Sequence, residues 1–261
     1  MRIVVLVKPV PDATGQERLR PDGRLDRSAA APVLNGSDEY TLEAALRLVD
    51  AHGGEVTLVA MAPSDGRDAL RKGLALGAAR AVLITDELLA GSCALSTMQV
   101  LAAVLRTLEF DLVLAGADSA DGGGGVVGAG IATLLDLPLV SGAAAIEEAG
   151  EGVIRVRRIV GPGEETVEAP VPALVVGTQL LGEPRYPTLK GIMGARAKEI
   201  AVRTLADLGL ADAPIGGESA TTVVLAQRPP AARATGRLVR EAPDAAAREI
   251  VDFLVERRAV S

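Results

Sequence analysis

The sequence predicts an α/β fold: a doubly wound, mostly parallel sheet with a small antiparallel addition and a C-terminal arm. Three observations predict it. Short β-branched runs alternate with amphipathic helical stretches, the pattern of a parallel sheet flanked by helices. The chain opens Met-Arg-Ile-Val-Val-Leu-Val-Lys, an apolar run that reads as a buried first strand and is too short for the core of a signal peptide. A third apolar run, Asp111–Gly116, passes straight into a stretch of glycines and then into a helix.

Taken in order, Ile3–Val7 is the first strand. Ser37-Asp38-Glu39 suits a helix amino terminus, where the dipole favours acidic side chains, and the helix runs over Tyr40–Val49. Glu55–Met61 is a strand, and Ser64–Leu76 a helix closed by Gly77. Ala81–Thr85 is a strand, Ser96–Leu108 a helix, and Gly128–Leu135 the helix after the glycine loop. Beyond Pro138 the rhythm changes. Ala143–Glu147, Val153–Ile159 and Glu165–Ala169 read as antiparallel strands between Gly and Glu turns, and Ala173–Thr178 as a further apolar strand. Lys198–Leu205 is mixed. The chain therefore divides into an α/β domain, 1–215, and an arm, 216–261. The arm carries Pro229-Pro230 and ends in an amphipathic segment, Asp244–Arg258, with Ile250, Phe253 and Leu254 on one face. That stripe cannot bury itself, and a partner subunit is its expected cover.

Composition excludes several functions. Aromatic residues are 2% of the chain and the net charge is −7, so neither stacking nor attraction favours a nucleic acid. No apolar stretch reaches the ~18 residues of a membrane span, and the expectation is a cytoplasmic protein without membrane insertion. The single cysteine, Cys93, excludes an internal disulfide framework. Catalytic parts are scarce. His52 reads as a surface residue at a helix end, Cys93 has no partner at ligand spacing, and Ser119 and Ser141 lack a nucleophile elbow. A carrier or binding protein is expected rather than an enzyme, with neither a catalytic nor a metal site.

The strongest local signal is the segment from Gly116 through Asp118, Ser119, Asp121, Gly122, Gly123, Gly124 and Gly125 to Val126, Val127 and Gly128. Adjacent glycines let main-chain N–H groups converge on an anion, with the next helix's dipole behind them. The loop also follows the carboxyl end of a strand, where open α/β sheets bind ligands. The pattern signals phosphate without naming the nucleotide, being neither a P-loop nor a G-x-G-x-x-G after the first strand. Lys8 either neutralises a ligand phosphate or is a solvated charge. Asn35 either caps the following helix or contacts an adenine or ribose, and capping is the simpler reading. In Glu183-Pro184-Arg185-Tyr186-Pro187-Thr188-Leu189-Lys190-Gly191-Ile192-Met193, a proline-fixed loop carries Leu189 as either a core plug or an exposed anchor.

These segments together resemble the β subunit of electron-transfer flavoproteins. The resemblance rests on Lys8-Pro9-Val10-Pro11-Asp12, on Asn35 with Asp38-Glu39-Tyr40 and Glu43-Ala44, and on Ala69–Ala78. It is completed by the Gly116–Gly128 loop and by Glu183–Met193. It covers essentially the whole chain and implies a Rossmann-like adenine-nucleotide-binding superfold, heterodimeric with an α subunit that holds most of the FAD. It implies a structural AMP bound by Leu6, Asn35, Gly36, Ser37, Asp38, Met61 and the loop from Gly116 to Val127. It further implies that Leu189 inserts into a dehydrogenase of the acyl-CoA type. Arg185, Lys190, Ile192 and Met193 stand around it, and a quinone oxidoreductase is the acceptor. The chain departs from relatives at Val126, where many carry glutamine, and at Gly36-Ser37, where many carry Pro-Phe. It departs again at Ala13, where some place an aromatic near the flavin. Two alternatives remain beside this one: a bifurcating flavoprotein with a second FAD in place of AMP, and a stand-alone adenine-nucleotide module.

Overall fold

The computed structural model describes residues 1–12, 18–27, 31–150, 152–226, 228 and 236–259. Ala13 and Pro229-Pro230 lie outside the described residues. The chain divides into two units, Met1–Leu225 and Ala226–Ser261.

Strand β1 (Arg2–Leu6) shows why the first unit has two covered faces. Successive side chains of a strand point to opposite faces. Ile3 and Val5 join one apolar cluster, while Val4 and Leu6 join the other. In chain order there follow β2 (Pro9–Pro11), β3 (Pro32–Leu34), α1 (Gly36–His52), β4 (Glu55–Met61), α2 (Arg67–Leu76), β5 (Arg80–Ile84), α3 (Ala94–Leu105), β6 (Leu112–Gly116) and α4 (Val127–Leu135). Leu42 and Leu46 of α1 and Leu70 and Leu74 of α2 bury against the first face; Val100 and Val104 of α3 and Ile131 of α4 bury against the second. This is the doubly wound arrangement.

The remaining elements are β7 (Leu139–Gly150), β8 (Val153–Val160), β9 (Gly163–Pro170), β10 (Ala173–Gly177), α5 (Leu189–Ala195), β11 (Ile200–Arg203) and, in the second unit, α6 (Pro243–Glu256). The main sheet has nine strands in the order β11-β5-β4-β1-β6-β10-β7-β8-β9. Every neighbouring pair from β11 to β7 is parallel, whereas β7–β8 and β8–β9 are antiparallel. The chain winds outward from β1 through β4 and β5, then returns to place β6 on the other side of β1. That return is the topological switch, and the crevice of such a sheet opens there, at the carboxyl ends of β1 and β6.

The antiparallel addition extends the sheet itself, because β7 pairs with β10 through its first half and with β8 through its second. Arg155 on β8 lies opposite Glu168 and Arg158 opposite Glu165, each as an ion pair. A separate two-stranded antiparallel sheet joins β2 to β3.

Boundaries differ most from the sequence expectation at three helices. α1 starts at Gly36 because the Asn35 carbonyl already accepts from the Asp38 and Glu39 N–H groups. The stretch from Ser64 divides into a 3₁₀ turn, Ser64–Gly66, and α2. α3 ends at Leu105, where Thr107 and Leu108 close the chain into a turn on Val104 and Leu105. In the second unit, α6 begins with Pro243, whose missing N–H costs nothing at that position. It buries none of its residues, and Ile250, Val251 and Val255 are exposed. Among the described residues no helix is long and apolar enough to cross a membrane.

Candidate functional site

The switch point gathers most of the residues singled out in the sequence. β1 ends at Leu6 and passes into Lys8, whose carbonyl accepts from the Asn35 N–H at 3.0 Å. Leu6 is buried in the core, so only its main chain faces the crevice. Gly116 ends β6, the neighbour of β1, and Met61 ends β4 on the other side. Gly36, Ser37 and Asp38 form the first turn of α1, directly behind Lys8.

Two buried polar side chains hold this point together. Asn35, 1% exposed, donates from Nδ2 to the Asp118 carbonyl at 2.8 Å and accepts at Oδ1 from the Ala120 N–H at 3.1 Å. Its side chain makes no cap bond to α1; it fastens the glycine loop instead. Asp38 accepts from the Lys8 N–H at 2.7 Å. Burial pushes the Asp38 carboxyl up to about 7, against the opposing hydrogen bonds from Lys8, Asn35 and Gly116. Gly116 must be glycine here, since an added Cβ would land on Asp38 Oδ1 and the Ser37 backbone.

The glycine loop follows. The N–H groups of Gly122 and Gly123 both donate to the Ser119 carbonyl, at 3.2 and 2.8 Å. Gly123 and Gly125 take left-handed φ values of 55° and 62°, which glycine adopts without strain. Gly124, Gly125 and Val126 are exposed, and Val127 begins α4. Beside them, Lys8 Nζ donates to Ser119 Oγ at 3.1 Å and to Asp121 Oδ1 at 2.6 Å. Arg27 donates to Asp121 Oδ2 from Nε at 3.0 Å and Nη2 at 2.6 Å. Burial pushes the Asp121 carboxyl up, but the Lys8 and Arg27 donors outweigh it and hold it below the usual carboxylate range. The Ser37 hydroxyl donates to Asp118 at 3.3 Å. Cations, buried amide and carboxylate donors and acceptors, and open glycines at strand ends suit a ligand with a phosphate and a polar ring.

The second constellation lies along α1, beyond its first turn. Glu43 accepts at Oε1 from Arg47 Nε at 2.7 Å and at Oε2 from the Arg185 N–H and Nε at 3.1 and 2.8 Å. Arg185 also donates to Asp50 at 2.9 Å. Burial pushes the Glu43 carboxyl up, yet the Arg185 and Arg47 hydrogen bonds outweigh it and leave it lowered. This clamp fixes the loop before α5, and the Thr188 hydroxyl accepts from the Gly191 N–H at 3.0 Å to cap that helix. Tyr186, Leu189 and Met193 are 88, 75 and 68% exposed, and Ile192 and Lys190 are exposed beside them. Leu189 therefore stands outside the core.

His52 is exposed in the last turn of α1, and Cys93 sits at the amino end of α3. Hydrogen bonding from Ser96 lowers the Cys93 thiol to about 6, with burial opposing and Thr221 assisting. Among the described residues no group of His, Cys, Asp and Glu is placed to hold a metal ion. Sequence reasoning missed Arg27, Glu43 as a clamp, and Thr188 as a cap. Only the last left a local signal, a Thr three residues before a glycine N–H.

With the geometry in hand, comparison with known proteins decides the family. The electron transfer flavoprotein domain model matches residues 22–208. The chain belongs to the electron transfer flavoprotein family. It is 39% identical to the electron transfer flavoprotein subunit beta of Mycobacterium leprae, over 99% of each chain. It is 33% identical to the subunit of that name from Thermoanaerobacterium thermosaccharolyticum, over 100% of each. A further relative, 32% identical over 100% of each chain, is the acryloyl-CoA reductase electron transfer subunit gamma of Anaerotignum propionicum. The similarity to electron transfer flavoprotein β subunits thus runs the length of the chain, and an electron-transfer role follows.

Proposed function

We propose that this chain is the β half of a cytoplasmic heterodimeric electron carrier whose α subunit holds most of the FAD. The observation that carries the reading is the use of α1. Its amino end lines the glycine loop through Ser37 and Asp38, and its side clamps the Tyr186–Met193 segment through Glu43 and Arg185. One rigid helix therefore serves a nucleotide-type site and an exposed apolar surface.

AMP is the ligand that the glycine loop suits. Lys8 and Arg27 supply the cationic wall, Asn35 and Asp38 hold the loop against β1, and the open Gly123–Val126 segment admits the phosphate. FAD, when bound, supplies the electron-accepting ring system of the heterodimer. This chain's part is to present Leu189, Ile192 and Met193 to an acyl-CoA dehydrogenase, keeping the α5 loop in one conformation through the Arg185 clamp. Apolar anchors in the centre of such a contact carry most of its energy, and Lys190 acts at the rim on the encounter rate. A quinone oxidoreductase takes the electrons onward.

A second reading, favoured by the bare Gly122–Gly125 stretch, places a second FAD in the same site and makes the protein a bifurcating one. Native mass spectrometry of the heterodimer separates the two: one FAD and one AMP for the carrier, two FADs for the alternative. Leu189→Ala should slow reduction by the dehydrogenase at least tenfold, about the worth of one anchor side chain, with flavin content unchanged. Unaltered reduction kinetics would remove Leu189 from the docking surface.

A further inference from the structure

Of the two carboxylates in the glycine loop, Asp121 is the one held by two cations. Its side chain is 2% exposed, whereas those of Lys8 and Arg27 are 38 and 48% exposed. The cations thus cover the carboxylate while remaining open to solvent themselves. Arg27 reaches Asp121 from the segment between β2 and β3, and its Nε and Nη2 converge on the single oxygen Oδ2, donors that a guanidinium offers carboxylate and phosphate alike. Lys8 completes the pair from the end of β1. Beside these donors there is room. A Cβ added at Gly123 or Gly124 meets nothing within 4 Å, whereas one at Gly122 would press on Ser119 Oγ at 2.9 Å.

We infer that Asp121 is a resident stand-in for phosphate: without ligand it occupies Lys8 and Arg27, and an entering phosphate monoester takes Arg27 from it. The inference rests on the adenylate reading of the loop. The exchange is favourable because a phosphate monoester at neutral pH carries close to two negative charges and three acceptor oxygens, against one charge and two oxygens for the carboxylate. Lys8 stays on Asp121 and Ser119 and keeps the loop shaped during the exchange. Arg27 is therefore a specificity residue. It releases its internal partner for a dianionic group and gains nothing by doing so for a neutral nucleoside. Asp121 thus holds AMP affinity below what a free Arg27 would give, and the smaller attraction of a singly charged anion offsets the displacement less well.

The test is calorimetric titration of the adenylate-free heterodimer, FAD retained, with AMP and with adenosine. Asp121→Asn should tighten AMP binding roughly tenfold, the size of one freed charge-assisted contact, and leave adenosine unchanged. Arg27→Gln should weaken AMP by a similar factor, again without effect on adenosine. In the double variant the gain from Asp121→Asn should vanish, because Arg27 delivers it. Weaker binding of both ligands by Asp121→Asn would make Asp121 a scaffold of the loop and overturn the exchange. A gain that survives without Arg27 would overturn it too, as would an Arg27→Gln protein that binds AMP normally. Arg27 is half-exposed, so its variant decides the matter even where Asp121→Asn lowers stability. Should no protein bind either AMP or adenosine, the adenylate reading falls and the exchange with it; binding of AMP with the wrong variant pattern sinks the exchange alone.

Discussion

Asp38 and Glu43 are two buried carboxylates on the same helix, 5 and 4% exposed, and their surroundings move them in opposite directions. Asp38 is met by main-chain N–H groups and an amide, with the Lys8 charge assisting, and these do not offset the loss of water, so its carboxyl rises to about 7. Glu43 lies less deep and is met by two guanidinium groups, which more than offset its smaller loss of water, and its carboxyl falls. A similar side-chain exposure therefore says little about a carboxylate's charge; its depth and the direct contact of cationic partners decide together. The difference separates the two constellations. The amino end of α1 holds a carboxyl that gains or loses its proton near neutrality beside the glycine loop. Further along, α1 holds a permanent ion cluster that fixes the loop carrying Leu189.

The largest way to break the comparison is steric. Gly116→Ala drives a methyl group into Asp38 and the Ser37 backbone, and should cost about 3 kcal/mol in urea unfolding. Loss of nucleotide binding should accompany it. Glu43→Ala comes next. It strands Arg47 and Arg185, whose side chains are 53 and 34% exposed and so partly rescued by water. About 2 kcal/mol is expected, below the 3–5 typical of a fully buried pair, with slower reduction by the dehydrogenase as the loop loosens.

A third effect is a slope. Because Asp38 holds its proton more tightly folded than unfolded, the native state binds more protons between 3.8 and about 7. Stability from this group thus falls as pH rises through that window. Glu43 behaves in reverse: its contribution is present above its ordinary 4.5 and is lost as pH falls through its lowered value. Asp38→Asn should flatten the decline on the neutral side, and Glu43→Gln the loss on the acid side, in unfolding midpoints measured from pH 3 to 8. Flattening of the same limb by both variants would end the contrast. The smallest effect belongs to Gly124→Ala, which meets nothing within 4 Å and should stay within about 0.5 kcal/mol of the parent.

Much of the first unit was legible because its strands are unbroken apolar runs between turn residues. Glu55–Met61 was read to the residue, since Gly54 precedes it and Pro63 follows soon after. β2 and β3 were not read. Three residues with prolines at 9, 11 and 32 carry no strand period, and only their pairing with each other makes them strands. The loop itself was legible from its glycines. Its fastening was not: Asn35 looked like a cap by its local sequence, but its side chain reaches residues 118 and 120. Likewise nothing near Glu43 announces Arg185, 142 positions later, or near Asp121 announces Arg27, 94 positions earlier. Charge pairs set by tertiary folding leave no periodic trace.

The ion pairs along β8 and β9 have a consequence for how the molecule behaves in a crowd. β9 is one outer edge of the nine-stranded sheet, and an outer strand offers hydrogen-bonding groups to any passing chain. Glu164, Glu165 and Glu168 lie along it, each paired to an arginine of β8. A second copy approaching edge to edge would have to bury those charges or align them against its own. The ladder thus works as a guard against polymerisation. Screening by salt should weaken that guard first, and sheet-to-sheet aggregation is then expected to begin at this edge.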